Sequence, residues 1–153
     1  MIILGIDGGS KCGWAVRSDD GTYASGVWDL KPPRGSSPGM RYIYLRARLE
    51  EVRRAYPALG LVAYEQAHQR GGAATEYALG VVTHIQSWCA AHGLDHMKVH
   101  SATVKKVATG KGGASKAAMI EAAIARWPGW TPATDDEADA RWICEAAVRE
   151  VGA

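Results

Sequence analysis

Four carboxylates, far apart in the sequence, end or begin predicted elements in a way that could bring them together. Asp7 ends the first apolar run of the chain, and Glu65 ends a later one. Asp136 and Asp139 lie three residues apart at the start of the last predicted helix, so both project from one face of it. The ends of neighbouring strands lie close together, and a helix N-terminus packed beside them would complete a pocket of four carboxylates.

Such a pocket favours one kind of chemistry. Carboxylates a few ångströms apart raise one another's pKa or recruit cations. Hard oxygen ligands select Mg²⁺ or Mn²⁺. Two such ions ~3.5–4 Å apart suit in-line displacement at a phosphodiester, because one activates the attacking water and the other stabilises the leaving oxygen. The four carboxylates therefore indicate a metal-dependent nuclease that uses two divalent ions.

Each of these acidic residues also has an ordinary structural explanation. Asp7 precedes a pair of glycines, and Asp and Gly are common turn residues. Thr134 and Glu137 fit a capping box, and acidic side chains near a helix N-terminus are stabilised by about 0.3–1 kcal/mol each. For Asp136 and Asp139, the metal interpretation depends on the two strand-end carboxylates lying nearby.

The elements that would position these residues follow from the hydrophobic pattern. Strands are predicted at 2–7, 14–17, 22–28, 59–65 and 96–99, and helices at 40–56, 73–92, 101–108, 116–126 (capped by Ser115) and 135–151. Three consecutive antiparallel strands precede an alternation of helices and strands. We therefore predict an α/β fold, a mixed five-stranded sheet with three antiparallel strands and then two parallel ones, flanked by helices.

Composition restricts the class of protein further. A chain of 153 residues with 47% apolar and 22% charged residues is expected to form a single globular domain over residues 1–153. No apolar run approaches the ~18 residues of a membrane span, and the N-terminus reads directly as a strand rather than a leader. Cys12, Cys89 and Cys144 are scattered, which argues against a disulfide framework and a zinc site. We expect a cytoplasmic protein, in a bacterial or phage-infected cell.

Charge is unevenly distributed along the chain, although the net charge is only +2. The segment 96–120 contains no carboxylate and five lysines: Lys98, Lys105, Lys106, Lys111 and Lys116. A basic segment beside a carboxylate cluster suits a protein that holds the DNA backbone while binding metal. The alternative is a solvated surface with uneven charge.

Taken together, the motifs resemble those of the RuvC family of Holliday-junction resolvases, within the ribonuclease H-like superfamily. The resemblance spans nearly the whole chain. The matching segments are Gly5-Ile6-Asp7-Gly8-Gly9 with Gly13-Trp14-Ala15, Tyr64-Glu65-Gln66, the basic stretch from Thr103-Val104-Lys105-Lys106 to Lys116, and Asp136-Glu137-Ala138-Asp139-Ala140.

The resemblance implies a ribonuclease H-like fold and a homodimeric endonuclease. Such an enzyme nicks two opposed strands of a four-way junction with the help of divalent metal. By this likeness the metal ligands and catalytic carboxylates are Asp7, Glu65, Asp136 and Asp139. Lys105, Lys111 and Lys116 would contact DNA or the scissile phosphate. We expect Lys116 to be catalytic as well as DNA-binding, and Lys106 to be a further DNA contact. The compact chain also resembles phage-encoded members, which accept a wider range of branched DNA.

One position departs from the family pattern. Some bacterial members carry an aromatic wedge three residues after the Glu of the second motif, where this chain has His68, followed by Arg70. Both side chains are candidate DNA contacts, and an imidazole can still stack on a base. Because His68 replaces the aromatic wedge, the resemblance does not define how the DNA strands are separated or which sequence is preferred at the cut.

Three other functions were weighed against a junction resolvase. A broader nuclease for branched DNA or forks would use the same site. A junction-binding module without catalysis would not need four carboxylates. An ATP-binding protein of the actin-like, sugar-kinase class shares the strand–Asp–Gly–Gly pattern, but it needs two lobes, and 153 residues allow one.

Overall fold

The computed structural model of the chain describes residues 1–9, 11–67 and 71–152. Five strands form one mixed sheet: β1 (Ile2–Asp7), β2 (Lys11–Arg17), β3 (Tyr23–Asp29), β4 (Leu59–Glu65) and β5 (Asp95–Val99). Their order across the sheet is β3-β2-β1-β4-β5. The first three strands pair antiparallel, whereas β4 pairs parallel with both β1 and β5. The predicted mixed sheet is confirmed.

Five helices cover the two faces of this sheet: α1 (Met40–Ala55), α2 (Gly72–His92), α3 (Ser101–Thr109), α4 (Lys116–Arg126) and α5 (Asp135–Val151). Buried residues of α1 and α2 share one core cluster with Leu4 and Ile6 of β1. Buried residues of the other three helices share a second cluster with Ile3. Because β1 is covered on both faces, its sequence is almost continuously apolar.

Helix α5 lies unusually close to the sheet, because glycines remove the side chains that would hold it away. A Cβ atom added to Gly5 on β1 would lie 2.5 Å from the carbonyl oxygen of Ala140 and 2.7 Å from Cys144 Sγ. A Cβ added to Gly13 on β2 would meet the backbone of Asp136 itself. The two glycines therefore let α5 rest directly on β1 and β2, beside Asp7.

Strand β2 begins earlier than predicted. The glycine-rich segment after Asp7 predicts a tight turn over 8–13 with the strand beginning at Trp14, whereas the strand starts at Lys11. Lys11, Cys12 and Gly13 pair with the end of β3, and Gly13 also pairs with Asp7 of β1. Pairing on both sides therefore overrides the turn-like composition of this segment.

The helix ends follow the predicted signals. Ser115 caps α4 by accepting a hydrogen bond from the backbone N–H of Ala118 at 3.1 Å. Gly93 ends α2 in a left-handed conformation with φ of 65°. In the part of the chain that the structure describes, no helix is both long and apolar enough to cross a membrane.

Candidate active site

The four candidate carboxylates lie at the edge of the sheet where β1 and β4 end. Asp7 is the last residue of β1, and Glu65 is the last residue of its parallel neighbour β4. Asp136 and Asp139 come from the first turns of α5, which packs against β1 and β2. All four side chains line one cavity of about 770 Å³. The structure therefore brings together residues that are up to 132 positions apart in the sequence.

Burial and mutual repulsion raise the pKa values of Asp7, Asp136 and Asp139. The pKa of Asp7 lies well above its ordinary value, first because burial desolvates the carboxyl group and then because Glu65, Asp139 and Asp136 add negative charge. Burial and the charges of Glu65 and Asp135 raise the pKa of Asp139 to about 7. The pKa of Asp136 is also raised, by burial and then by Asp135. The carboxyl groups thus titrate as one interacting set.

The Asp7 carboxyl group lies close enough to those of Asp136 and Asp139 for a hydrogen bond when one partner is protonated. Asp139 Oδ1 is buried and has no hydrogen-bond partner. Hard oxygen donors, an unpartnered buried oxygen and crowded negative charge fit a divalent cation such as Mg²⁺ or Mn²⁺.

The side chains are not yet arranged around such an ion. Within residues 1–9, 11–67 and 71–152, no three His, Cys, Asp or Glu side chains are placed so that they could hold a metal. Metal binding would require these carboxyl groups to lose their protons, because only the ionised carboxylate is a metal ligand.

The predicted lysines divide into two pairs. Lys105 on α3 and Lys116 at the start of α4 line the carboxylate cavity. The Lys116 Nζ atom lies 3.5 Å from Asp135 Oδ2, and its side chain is 87% exposed, so it is free to turn towards a bound phosphate. Lys106 and Lys111 are exposed and lie outside the cavity lining. The candidate DNA contacts His68 and Arg70 lie outside the described residues.

Two residues of the cavity wall were not predicted from the sequence. Arg41 near the start of α1 and Tyr77 of α2 line the cavity from the opposite helix layer. The Tyr77 hydroxyl donates a hydrogen bond to the carbonyl oxygen of Gly9 at 2.9 Å, which ties α2 to the turn after β1. The sequence does offer a signal for Arg41, because it belongs to a group of arginines on the first predicted helix that could line a DNA channel or form a solvated face.

Glu137 has a larger role than the predicted capping box. The backbone N–H of Glu137 donates to Thr134 Oγ1 at 3.2 Å, as predicted. The Glu137 carboxylate, however, accepts from the N–H of Ala133 rather than from that of Thr134, and it also accepts from Ser25 Oγ, both at 2.7 Å. Its side chain is buried. Glu137 therefore anchors the start of α5 to β3.

Arg141 extends this anchor by one helical turn. It is buried, its Nε donates to Ser25 Oγ at 2.8 Å, and its guanidinium lies 3.7 Å from the ring centre of Trp130. Trp127 packs against Trp142 of α5, so Trp127 and Trp130, which lie between α4 and α5, both contact the last helix. These contacts fix the two turns of α5 that carry the candidate ligands.

Sequence comparison gives the family. The chain is 31% identical to the crossover junction endodeoxyribonuclease RuvC of Nitratidesulfovibrio vulgaris, in an alignment of 161 positions that covers 99% of this chain and 93% of that relative. The chain belongs to the RuvC family. No family model matches the chain.

Solved structures show the same fold. RuvC of T. thermophilus in complex with a Holliday junction substrate has a TM-score of 0.81 at 19% identity. The match covers 99% of this chain and 94% of that one. A Thermus thermophilus RuvC structure has a TM-score of 0.72 at 22% identity, and the match covers 99% of this chain and 97% of that one. The yeast mitochondrial Holliday junction resolvase Ydc2 has a TM-score of 0.62 at 14% identity, covering 96% and 77%. The chain therefore has the RuvC, ribonuclease H-like fold.

Proposed function

We propose that this chain is a crossover junction endodeoxyribonuclease that resolves four-way DNA junctions by paired phosphodiester hydrolysis. The observation that carries the proposal is the meeting of four carboxylates in one cavity at the ends of β1 and β4, in a chain of the RuvC family. Relatives of that name act at crossover junctions, and one structural neighbour is bound to a Holliday junction.

Membership of this family implies dependence on divalent metal. We assign the metal to Asp7, Glu65, Asp136 and Asp139, with Mg²⁺ or Mn²⁺ as the ion and two ions in each site. When bound, these ions supply a nucleophile at neutral pH and neutralise charge on the phosphodiester. The buried, unpartnered Asp139 Oδ1 and the raised pKa values of Asp7 and Asp139 support this assignment, because both features disappear when a cation compensates the charge.

The lysines bind and orient the DNA. Lys105 and Lys116 place positive charge on the cavity wall formed by α3 and α4, where a phosphate would approach the carboxylates. Lys116 can leave Asp135 and pair with the scissile phosphate, which would give it a catalytic role. Lys106 and Lys111 are exposed nearby, where they would hold the backbone further along. His68 and Arg70 are proposed as contacts to the bases or backbone beside the cut.

A second copy of the chain is part of the proposal. The cavity holds one set of four carboxylates, whereas resolution of a junction needs two cuts at positions related by symmetry. A homodimer with a two-fold axis supplies two such sites at a fixed separation. We place this dimer in the cytoplasm, and we propose that residues 1–153 act in it as one nuclease domain.

The experiment that tests this function is side-by-side digestion of labelled DNA of matched sequence. Four-way junction, fork, flap and plain duplex are each incubated with Mg²⁺, with Mn²⁺ and with a chelator. We expect two opposed nicks in the junction, no cutting with the chelator and little cutting of duplex. Equal cutting of forks and flaps would indicate the broader nuclease, and binding of the junction without any cutting would indicate a module without catalysis.

A further inference from the structure

The cavity has a second basic wall that the four predicted lysines do not explain. Lys105 and Lys116 belong to the helix layer formed by α3, α4 and α5. Arg41 belongs to α1 in the opposite layer, yet it lines the same cavity. The carboxylates at the ends of β1 and β4 lie between the two layers. Positive charge therefore flanks the carboxylates from both faces of the sheet.

Arg41 differs from Arg46, Arg48 and Arg53 of α1 in having no polar partner among the described residues. Arg46 donates to His84 and Ser87, and Arg48 and Arg53 each pair with a glutamate of the same helix. For Arg41, the structure within its described ranges shows no ion pair or hydrogen bond of the side chain, and its Nε is buried and unpaired. A buried guanidinium nitrogen without an acceptor is costly, so this position favours an anionic ligand.

Tyr77 holds the Arg41 side chain in place. The Arg41 guanidinium lies 4.5 Å from the centre of the Tyr77 ring, at the distance of a cation–π contact. The Tyr77 hydroxyl is bonded to the carbonyl of Gly9, two residues after Asp7. A guanidinium that stacks on an anchored ring keeps its outer N–H groups free for a planar, two-pronged contact. Phosphate is the ligand that fits such a contact.

A smaller cavity of about 260 Å³ shares two of its lining residues with the carboxylate cavity. It is lined by Leu30, Lys31, Arg41 and Tyr77. Arg41 and Tyr77 therefore border both cavities, and Lys31 adds an exposed cation to the smaller one. Positive charge thus continues from the carboxylate cavity to the smaller one, which suits an extended anion.

We propose that Arg41, stacked on Tyr77, is a DNA phosphate-binding residue that holds the backbone on the side of the site opposite Lys105 and Lys116. This inference rests on the proposed function and adds to it a phosphate contact on the second side of the site. With phosphates held on both sides, the backbone is fixed across the carboxylates rather than at one end. Arg41 contacts the DNA and not the reacting atoms, so it is a binding residue.

The test is equilibrium binding of a labelled four-way junction in a chelator, measured over a series of salt concentrations. Each neutralised phosphate contributes about −0.9 to the slope of log K against log salt. For Arg41→Gln we expect about tenfold weaker binding, as for the loss of one charged contact, and a slope shallower by about one. The matched control is Arg54→Gln, which removes the same charge from the exposed far end of α1, about 20 Å along the helix.

A second variant covers the case in which Arg41→Gln does not fold. Arg41→Lys keeps the charge but loses the planar guanidinium that stacks on Tyr77. We therefore expect it to keep the wild-type slope and to bind the junction more weakly than wild type. If Arg41→Lys binds the junction as weakly as Arg41→Gln and shows the same reduced salt slope, a phosphate contact at this position is contradicted. Thermal unfolding of each variant is recorded alongside.

Cleavage of the same junction by wild type with Mg²⁺ separates this inference from the proposed function. If wild type binds and cuts, while Arg41→Gln behaves like Arg54→Gln in affinity and slope, the Arg41 assignment is wrong and the function stands. If wild type neither binds nor cuts the junction, the proposed function fails and the assignment fails with it.

Discussion

Replacing Asp139 with Asn should stabilise the protein in the absence of metal, although it removes a proposed ligand. The pKa of this carboxyl group is raised to about 7, from an ordinary value of 3.8, mainly because it is buried. Asn has nearly the same shape and no charge, and its amide can donate to the neighbouring Asp7. The substitution therefore removes the cost of ionising a buried group and keeps its packing.

The size of the effect depends on pH. One pKa unit corresponds to about 1.4 kcal/mol, so a shift of about three units makes ionised Asp139 cost the folded state about 4 kcal/mol. Below pH ~4 the group is protonated in both folded and unfolded chains, and the cost is absent. Between pH ~4 and ~7 only the unfolded chain is ionised, so stability falls as pH rises. Above pH ~7 the full cost is present.

We therefore expect Asp139→Asn to raise the free energy of unfolding by about 2–4 kcal/mol at pH 8 and by about 1–2 kcal/mol at pH 5. The lower figures allow for the coupling of the carboxyl groups, because the cost of ionising Asp139 in wild type is lowered when a neighbouring carboxyl group takes up a proton. For a chain of this length, the gain at pH 8 corresponds to a rise in Tm of roughly 5–10 °C. Urea denaturation in a chelator at several pH values measures it.

The matched control is Asp95→Asn, at the exposed start of β5, which should change stability little at any pH. Added Mg²⁺ should stabilise wild type more than Asp139→Asn, because a ligand that binds the folded state adds to its stability. If Asp139→Asn is no more stable than wild type at pH 8, or if its advantage does not shrink towards pH 5, the carboxylates are not crowded as described.

Three further outcomes are expected. Lys116→Ala should weaken junction binding, reduce the salt slope by about 0.9 and slow cleavage. Lys111→Ala should weaken binding and reduce the slope without slowing cleavage. An unchanged slope in either variant would count against a phosphate contact by that lysine. Gly13→Ala should destabilise the protein by on the order of 2–3 kcal/mol in urea denaturation, because its Cβ meets the backbone of α5, whereas Gly113→Ala, with open space around it, should not. Arg141→Leu should lower the free energy of unfolding by about 3 kcal/mol, because it removes the hydrogen bond to Ser25, the contact with the Trp130 ring and the positive charge near the buried Glu137. A loss under about 1 kcal/mol would show that these contacts do not stabilise the folded chain.

Much of the sheet could be predicted because its signals are local. The apolar runs that end at Asp7 and Glu65 are strands buried on both faces, and such runs are readable without knowledge of their partners. The helix ends at Ser115 and Gly93 follow from side-chain and backbone preferences within a few residues. The meeting of the carboxylates was predictable because parallel neighbours end at the same edge.

The errors and omissions concern contacts between distant parts of the chain. The start of β2 at Lys11 depends on pairing with Asp29, and turn-like composition hid it. Glu137 looked like a surface cap, but its carboxylate bonds Ser25, 112 residues away. Arg41 was one of several arginines on the first predicted helix, and only the fold shows that it is the arginine of α1 that lines the cavity. No local pattern distinguishes these residues from their neighbours.

The most direct test of the central claim is to measure junction binding and junction cutting on one preparation of Asp7→Asn. Asp7 lies beside the two proposed metal ligands of α5 and ends the central strand, so the substitution should remove metal-dependent chemistry and keep the fold. We expect Asp7→Asn to bind a four-way junction with about wild-type affinity and to produce no nicks with Mg²⁺. Cutting at the wild-type rate by this variant would contradict the account.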